Sequence, residues 1–119
     1  MLTKKVLVVE GKADKFRLKQ MIDEPVTIIC AFGAISEYDL EELLDRTIDI
    51  ERDELYVFVD ADYTGEQIRA LFHQLYPEAI HLFTNEEDVE VECTPFHLLA
   101  EELQPYFQIH AQFLHIKDE

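Results

Sequence analysis

Cysteine, long hydrophobic runs and positive charge are all scarce in this chain of 119 residues. The two cysteines, Cys30 and Cys93, show no C-x-x-C spacing, so a disulfide framework is excluded and two reduced thiols are expected. The apolar runs fall far short of the ~18 to 20 residues that a membrane span requires, and the N-terminus lacks a secretory cleavage pattern. We therefore expect a cytoplasmic protein with no membrane insertion.

The balance of charge is strongly acidic, with 26 Asp and Glu residues, 10 Lys and Arg residues and a formal net charge of -16. Such a chain repels nucleic acid at long range, because phosphate binding is driven mainly by Lys and Arg. The charge is uneven: residues 12–19 hold four cations and one anion, whereas residues 85–92 hold five carboxylates. A nucleic-acid role therefore needs a metal site or a basic partner. We interpret residues 86–92 as a solvated loop.

Short aliphatic runs alternate with helical patterns along the chain. The runs "VLVV", "VTIICA", "LYVFV" and "AIHLF" are typical of strands buried on both faces of a parallel sheet. Apolar residues spaced by three and four positions predict four helices between and after them. The pattern predicts one α/β domain over residues 1–119, with a mainly parallel sheet of about four strands and helices on both faces. The core covers about 4–104, and the tail 105–119 is predicted as a fifth strand or, alternatively, a helix.

Acidic residues follow two of the predicted strands. Glu10 comes directly after the first strand, and Asp60 and Asp62 follow the third. Because ligands of open parallel sheets bind beyond the carboxyl ends of the strands, these carboxylates are expected to converge. Like charges repel, so the cluster needs a bound cation or a protonated member, and oxygen-only ligation favours Mg²⁺ or Mn²⁺. In an extended chain the Cα atoms of Asp60 and Asp62 are ~6.5 Å apart, which favours two ions or one ion held partly through water.

Glycines and cations lie beside these acids. Gly11 and Gly65 open predicted helices, whose free N–H groups favour phosphate. Lys12 and Lys15 fall on the first turn of the first helix. Gly33 supplies a flexible loop after the second strand. We predict a phosphate or substrate site formed by these residues, with solvated surface lysines as the alternative.

The third helix has its own start signal. Thr64 and Gln67 form a Thr-x-x-Gln capping box, which predicts that the helix begins there. Arg69 lies on the second turn of the same helix. We predict that Arg69, like Gly65, lies near a bound phosphate, and a solvated surface cation is again the alternative.

The order of these motifs resembles a Toprim domain. The resemblance rests on Glu10 and Gly11 after the first strand, Gly33 after the second, and the stretch Asp60–Gly65 after the third. Toprim domains are catalytic modules of primases, topoisomerases of types IA and II, and some nucleases and repair proteins. This chain looks most similar to the small branch that includes the bacterial ribonuclease that matures 5S ribosomal RNA.

The resemblance implies a role for each matching residue. Glu10 would be a metal ligand and a general acid or base, and Asp60 and Asp62 would be the Mg²⁺-binding pair. Supporting positions of the family correspond to Asp14, Gly33 and Gly65. The implied activity is on phosphodiesters of RNA or DNA, with Mg²⁺ or Mn²⁺ as cofactor. The alternative is a non-catalytic module that binds metal and a protein or nucleic-acid partner, since no separate RNA-binding region is expected outside the domain.

A second signature competes with this interpretation. "VDADYT" matches the Asp-x-Asp-x-Thr motif of haloacid-dehalogenase phosphatases, in which Asp60 would be a nucleophile and Asp62 a general acid. That mechanism also needs a downstream lysine, and after Thr64 the only lysine is Lys117. A receiver-like phosphoacceptor domain requires the same missing lysine. The metal-site interpretation is therefore preferred.

Overall fold

Strands and helices alternate along the chain in a computed structural model that describes residues 3–31, 37–49, 51–84 and 89–114. The strands are β1 Lys5–Val9, β2 Thr27–Cys30, β3 Glu54–Phe58 and β4 Ile80–Leu82. The helices are α1 Lys12–Met21, α2 Glu37–Asp45, α3 Tyr63–Leu75, α4 Phe96–Leu103 and α5 Ala111–Leu114, with a 3₁₀ helix at Val91–Cys93. None of these described helices combines the length and apolarity needed to cross a membrane.

The four strands form one parallel sheet in the order β2-β1-β3-β4. β1 lies between β2 and β3, so that Val8 is opposite both Ile29 and Val57. Parallel pairing places the carboxyl ends of β1 and β3 side by side at the same edge of the sheet. The predicted α/β fold with a parallel sheet of four strands is confirmed.

Side chains of the strands alternate between two hydrophobic layers. Leu7 and Val9 belong to the layer completed by α1, α4 and α5, whereas Val6 and Val8 belong to the layer completed by α2 and α3. The alternation follows from the two-residue period of a strand, and it explains why the aliphatic runs are continuous. Helices cover both faces of the sheet, as the sequence predicts.

The C-terminal segment packs into the first of these layers. Phe107, Ile109 and Phe113 are buried there. Ile109 makes a single antiparallel bridge with Ile22, and the chain then turns into α5. Within residues 105–114 the predicted fifth strand is wrong. The backbone makes one bridge and does not join the sheet, and the apolar side chains pack into the core. Helix α5 agrees with the alternative prediction, and residues 115–119 lie outside the described part.

Candidate metal centre

The carboxyl edge of the sheet brings Glu10, Asp60 and Asp62 together, and we call these three side chains the metal-centre carboxylates. Each offers one oxygen, and the three oxygens lie within 4.8 Å of one another. Two oxygens bound to one Mg²⁺ are at most about 4.2 Å apart, because each lies ~2.1 Å from the ion. A group made of carboxylates alone suits a hard divalent cation. The residues therefore fit a shared Mg²⁺ or Mn²⁺ after a small side-chain adjustment.

Glu10 joins the ends of two strands. Its Oε2 accepts a hydrogen bond of 2.8 Å from the backbone N–H of Asp60. Burial raises the pKa of Glu10 to about 7; the hydrogen bond from Asp60 opposes the rise, and the charges of Asp60 and Asp62 add to it. Without a compensating cation, this carboxyl group therefore exchanges a proton near neutral pH.

Asp60 is held by the loop that follows β4. Its Oδ1 accepts a hydrogen bond of 2.8 Å from the backbone N–H of Val91, and the N–H of Ala61 donates to the carbonyl oxygen of Val89 at 2.8 Å. Burial raises the pKa of Asp60, the bond from Val91 opposes the rise, and the charge of Asp62 adds to it. The loop thus forms one wall of the site and fixes the direction of the Asp60 carboxylate.

The same loop contains residues 89–92, the described part of the acidic tract. Val91 is fully buried, and Arg17 donates to the carbonyl oxygens of Val91 and Glu92 at 3.0 and 2.7 Å. The prediction of a solvated loop fits the exposed glutamate side chains but is wrong for this backbone, because Val91 inserts into the core. The Val-Glu-Val-Glu alternation could not have identified this insertion, because Val89 is 45% exposed while Val91 is buried. Residues 86–88 lie outside the described part.

Asp62 begins helix α3 as its N-cap. Its Oδ1 accepts a hydrogen bond of 2.8 Å from the backbone N–H of Gly65. The predicted start at the Thr64 and Gln67 box is wrong, because the helix begins one residue before Thr64 and Asp62 supplies the cap. Although Asp62 keeps an extended backbone, with φ -134° and ψ -176°, one of its carboxylate oxygens lies within 4.8 Å of one of Asp60. The two side chains can therefore approach the same ion.

Packing requires glycine at one end of the site and not at the other. A Cβ added to Gly65 would overlap the carbonyl oxygen of Asp60. Gly65 therefore allows the first turn of α3 to lie directly against the end of β3. Gly11 has an extended backbone with φ -145°, and a Cβ added there would meet nothing within 4 Å.

Asp14 lies beneath the site, with 4% of its surface exposed. Its Oδ2 accepts a hydrogen bond of 3.2 Å from the backbone N–H of Gly11. Burial raises the pKa of Asp14 to about 6, and the charge of Asp60 adds to the rise. Asp14 therefore supports the turn between β1 and α1, which leaves little of its surface for the predicted substrate contact.

Arg69 is used inside the protein, where 4% of its surface is exposed. Its Nη2 donates to the carbonyl oxygens of Val59 and Leu82 at 3.1 and 2.7 Å. The guanidinium also lies over the ring of Phe83, at 4.1 Å from the ring centroid. The prediction that Arg69 contacts a phosphate is therefore wrong, because its side chain joins the chain beyond β3 to the end of β4.

The remaining candidates lie at the start of α1 or after β2. Lys12 is exposed and Lys15 is half-buried on the first turn of α1. Burial raises the pKa of the Cys30 thiol at the end of β2, and the charges of Lys15 and Lys12 oppose this rise. Both lysines are therefore close to the carboxyl edge of the sheet. Gly33 lies outside the described residues.

Curated proteins similar to this chain fall into two groups. No protein-family model matches it. The uncharacterized protein YusF of Bacillus subtilis is 39% identical over 114 residues, which cover 95% of this chain and 76% of that protein. Ribonuclease M5 of Lactococcus lactis is 36% identical over 83 residues, and ribonuclease M5 of Bacillus anthracis is 31% identical over 88 residues. These two matches cover 70% and 74% of this chain but 38% and 45% of the ribonucleases, so the chain spans less than half of their length.

A solved structure is similar to the whole fold. It is that of a small TOPRIM domain protein from Bacillus stearothermophilus, with a TM-score of 0.85 and 36% sequence identity. The superposition covers 96% of this chain and 95% of that chain. The two chains therefore share both architecture and a substantial part of their sequence.

Proposed function

This chain belongs to the family of small Toprim domain proteins, and we propose that it acts on phosphodiester bonds of nucleic acid through a Mg²⁺-dependent or Mn²⁺-dependent site. The observation that carries the proposal is the convergence of Glu10, Asp60 and Asp62, with one oxygen of each within 4.8 Å of the others. The similarity to ribonuclease M5 makes RNA the first substrate to test. We assign the protein to the cytoplasm as part of this proposal.

Each metal-centre carboxylate is oriented by a backbone N–H group. Oε2 of Glu10, Oδ1 of Asp60 and Oδ1 of Asp62 accept these hydrogen bonds. We propose that the three carboxylates, held in this way, ligate the cation. A bound Mg²⁺ would supply positive charge that offsets the charge of a phosphodiester. Ligands fixed by backbone groups keep their geometry because they do not depend on mobile side chains.

Glu10 is the residue to which we assign proton transfer. Burial raises its pKa to about 7 in the cation-free protein, and a bound cation would lower the pKa, so Glu10 would be charged and able to accept a proton when the metal is present. The N–H of Asp60 holds Oε2 in place, and we assign to the Glu10 carboxylate the transfer of a proton from an attacking water or to a departing oxygen. Asp60 and Asp62 position the cation.

A non-catalytic module is the second candidate. The net charge of -16 disfavours binding of nucleic acid by the chain alone and favours a partner that supplies the missing contacts. In this form the same carboxylates bind the metal, and a protein or nucleic-acid partner completes the chemistry.

Cleavage assays with purified protein separate the two candidates. The substrates are labelled structured RNA, single-stranded DNA and duplex DNA, each with Mg²⁺ or Mn²⁺. We expect cleavage by the parent and a loss on the order of 100-fold or more for Asp60→Asn, because a cation ligand is removed. Asp23→Asn is the matched control, since Asp23 is an exposed aspartate outside the metal-centre carboxylates and the charge change is the same.

Calorimetry with Mg²⁺ decides the other outcomes. No cleavage by any variant, together with Mg²⁺ binding that Asp60→Asn abolishes, supports the non-catalytic module. Mg²⁺ binding that is absent, or that Asp60→Asn leaves unchanged, contradicts the metal centre itself.

A further inference from the structure

Among the residues that the structure describes, the positive charge that has no partner in the protein is concentrated on one helix. Of the 10 Lys and Arg residues, all but Lys117 lie in the described ranges. Six of these are engaged by ion pairs, by backbone carbonyls or by burial: Lys4, Lys5, Arg17, Arg46, Arg52 and Arg69. The other three, Lys12, Lys15 and Lys19, make no ion pair or side-chain hydrogen bond within the described part of the chain.

These three lysines share one face of α1 with Phe16, and we call the four residues the α1 stripe. At 3.6 residues per turn they fall within a sector of about 100°. Asp14, Leu18 and Met21, which are the buried residues of α1, lie on the opposite side. Phe16 is 66% exposed, so its ring gains little from folding. The stripe therefore presents three cations and an aromatic ring to solvent, over about 10 Å of helix.

The α1 stripe begins beside the metal centre. Lys12 follows Glu10 by two residues, and the charges of Lys12 and Lys15 act on the thiol of Cys30 at the end of β2. From this edge the stripe runs along α1 to Lys19 in the last turn. A polymer that lies on the stripe would therefore run toward the carboxyl edge of the sheet, where the metal-centre carboxylates lie.

We propose that the α1 stripe binds a single-stranded segment of nucleic acid, with its lysines on phosphates and Phe16 stacked on an unpaired base. The proposal rests on the proposed function, because the stripe gives the substrate a route to the carboxylates. A polyanion complements the charge of this face, whereas the net charge of -16 repels it elsewhere. An aromatic ring among cations suits unpaired bases. Bases inside a duplex are stacked on one another, so a duplex offers no exposed base on which Phe16 can stack.

Fluorescence anisotropy with labelled oligouridylate and oligothymidylate of about 12 nucleotides measures this binding. The buffer contains no divalent cation, so the metal centre does not contribute. The triple variant K12Q/K15Q/K19Q removes three lysines of the stripe. The triple variant K4Q/R46Q/R52Q is the control, because it changes the net charge equally on other faces. Circular dichroism and thermal unfolding verify that each variant is folded.

Two separate effects are expected. The stripe triple lowers the slope of log K against log salt by about 2, because each phosphate contact in a single strand contributes ~0.7. The control triple leaves that slope unchanged. Phe16→Ala weakens binding of both oligonucleotides by about tenfold without changing the slope, and Phe16→Tyr retains binding. Phe16→Ala leaves binding to a duplex of the same length unchanged. Equal losses for the two oligonucleotides identify the shared chemistry of phosphate and base; a loss for one alone shows that the stripe distinguishes them by the 2′-hydroxyl of the sugar or the 5-methyl group of thymine.

Other outcomes overturn the inference. If the stripe triple leaves the salt slope unchanged, the lysines do not contact phosphates. If Phe16→Ala binds as tightly as the parent, Phe16 does not stack on a base. Displacement of the oligonucleotide by polyglutamate at equal charge concentration shows a general anion surface. If Asp60 is required for cleavage while the stripe variants bind and cleave as the parent does, this inference fails alone. If the stripe binds single strands but no variant cleaves, the proposed catalytic function fails alone.

Discussion

The two edges of the sheet differ in whether their charged side chains form ion pairs. At the amino edge, Lys5 lies 3.2 Å from Glu24, and Lys4 lies 3.9 Å from Asp53. At the carboxyl edge, the metal-centre carboxylates have no ion-pair partner among the residues that the structure describes. The chain neutralises its own charge at the first edge and leaves it uncompensated at the second. A cation from solution therefore has its largest effect at the carboxyl edge.

The buried, unpaired carboxylates make an unfavourable contribution to the stability of the carboxyl edge. Burial, together with the neighbouring carboxylates, raises the pKa of Glu10, Asp14 and Asp60. A raised pKa means that the charged form of each carboxyl group is less favourable in the folded chain than in water. Sites that bind or react with ligands commonly reduce stability in this way.

The largest effect is expected from a substitution that displaces the backbone at the carboxyl edge. Gly65→Ala is expected to lower the free energy of unfolding by about 2–3 kcal/mol, because the new Cβ overlaps the carbonyl oxygen of Asp60. It is also expected to abolish Mg²⁺ binding, since the backbone that carries Asp60 and Asp62 must move. Urea denaturation and calorimetry measure these two effects.

Gly11→Ala is the matched control at the same edge. A Cβ at this position meets nothing within 4 Å, so the expected loss is under about 1 kcal/mol and reflects the weaker helix cap. Equal losses in the two alanine variants would show that glycine flexibility, and not the contact with Asp60, is responsible.

A smaller effect is expected when one charge is removed from the carboxyl edge. The pKa of Glu10 rises from 4.5 to about 7 on folding, so the folded chain holds a proton that the unfolded chain has lost between these values. This contribution to stability is complete below about pH 4.5 and is lost as the pH rises through about 7. In cation-free buffer at pH 8, Glu10→Gln is therefore expected to be more stable than the parent. The expected gain is roughly 1–2 kcal/mol, discounted because the carboxyl group is partly exposed.

The difference between parent and Glu10→Gln reports the titration of Glu10 together with its coupling to the neighbouring carboxylates. His81, with a pKa lowered to about 4 by burial, titrates in the opposite direction and is present in both proteins, so its contribution cancels. Asp14, with a pKa of about 6, titrates in the same direction as Glu10, and its repulsion by the Glu10 charge is lost in the variant. Urea unfolding between about pH 5 and pH 8 gives the two curves. Parallel curves would refute the assignment, and saturating Mg²⁺ should stabilise the parent more than the variant.

The smallest effect is expected at the amino edge. Glu24→Gln removes the ion pair with Lys5 but keeps an acceptor for the backbone N–H of Gln108. We expect a loss of at most about 1 kcal/mol, because the pair is partly exposed. Mg²⁺ binding should not change. If Glu24→Gln instead increased the stability, as expected for Glu10→Gln, the charge at the amino edge would be unfavourable too, and the two edges would not differ.

Local patterns predicted the strands and the acids that follow them, but they misassigned two polar residues, and the close packing at Gly65 is visible only in the structure. Arg69 was predicted at a phosphate because it follows the acidic pair by two helical turns, yet its guanidinium binds the carbonyl oxygens of Val59 and Leu82. The helix cap was assigned to Thr64, although Asp62 forms it. A spacing rule identifies neighbours along one helix but not the partner that a long side chain reaches in another element.

The sequence by itself determined the parallel sheet, because its continuous aliphatic runs can be buried on both faces only between helices. It also determined that Glu10, Asp60 and Asp62 follow strands. The tertiary structure alone decided that β1 and β3 are neighbours and that their acids meet. It also decided that the described lysines that make no ion pair or side-chain hydrogen bond, Lys12, Lys15 and Lys19, share one face of α1. The physical reason is that hydrophobic periodicity is local, whereas strand order, ion pairing and the repulsion between carboxylates depend on residues distant in the chain.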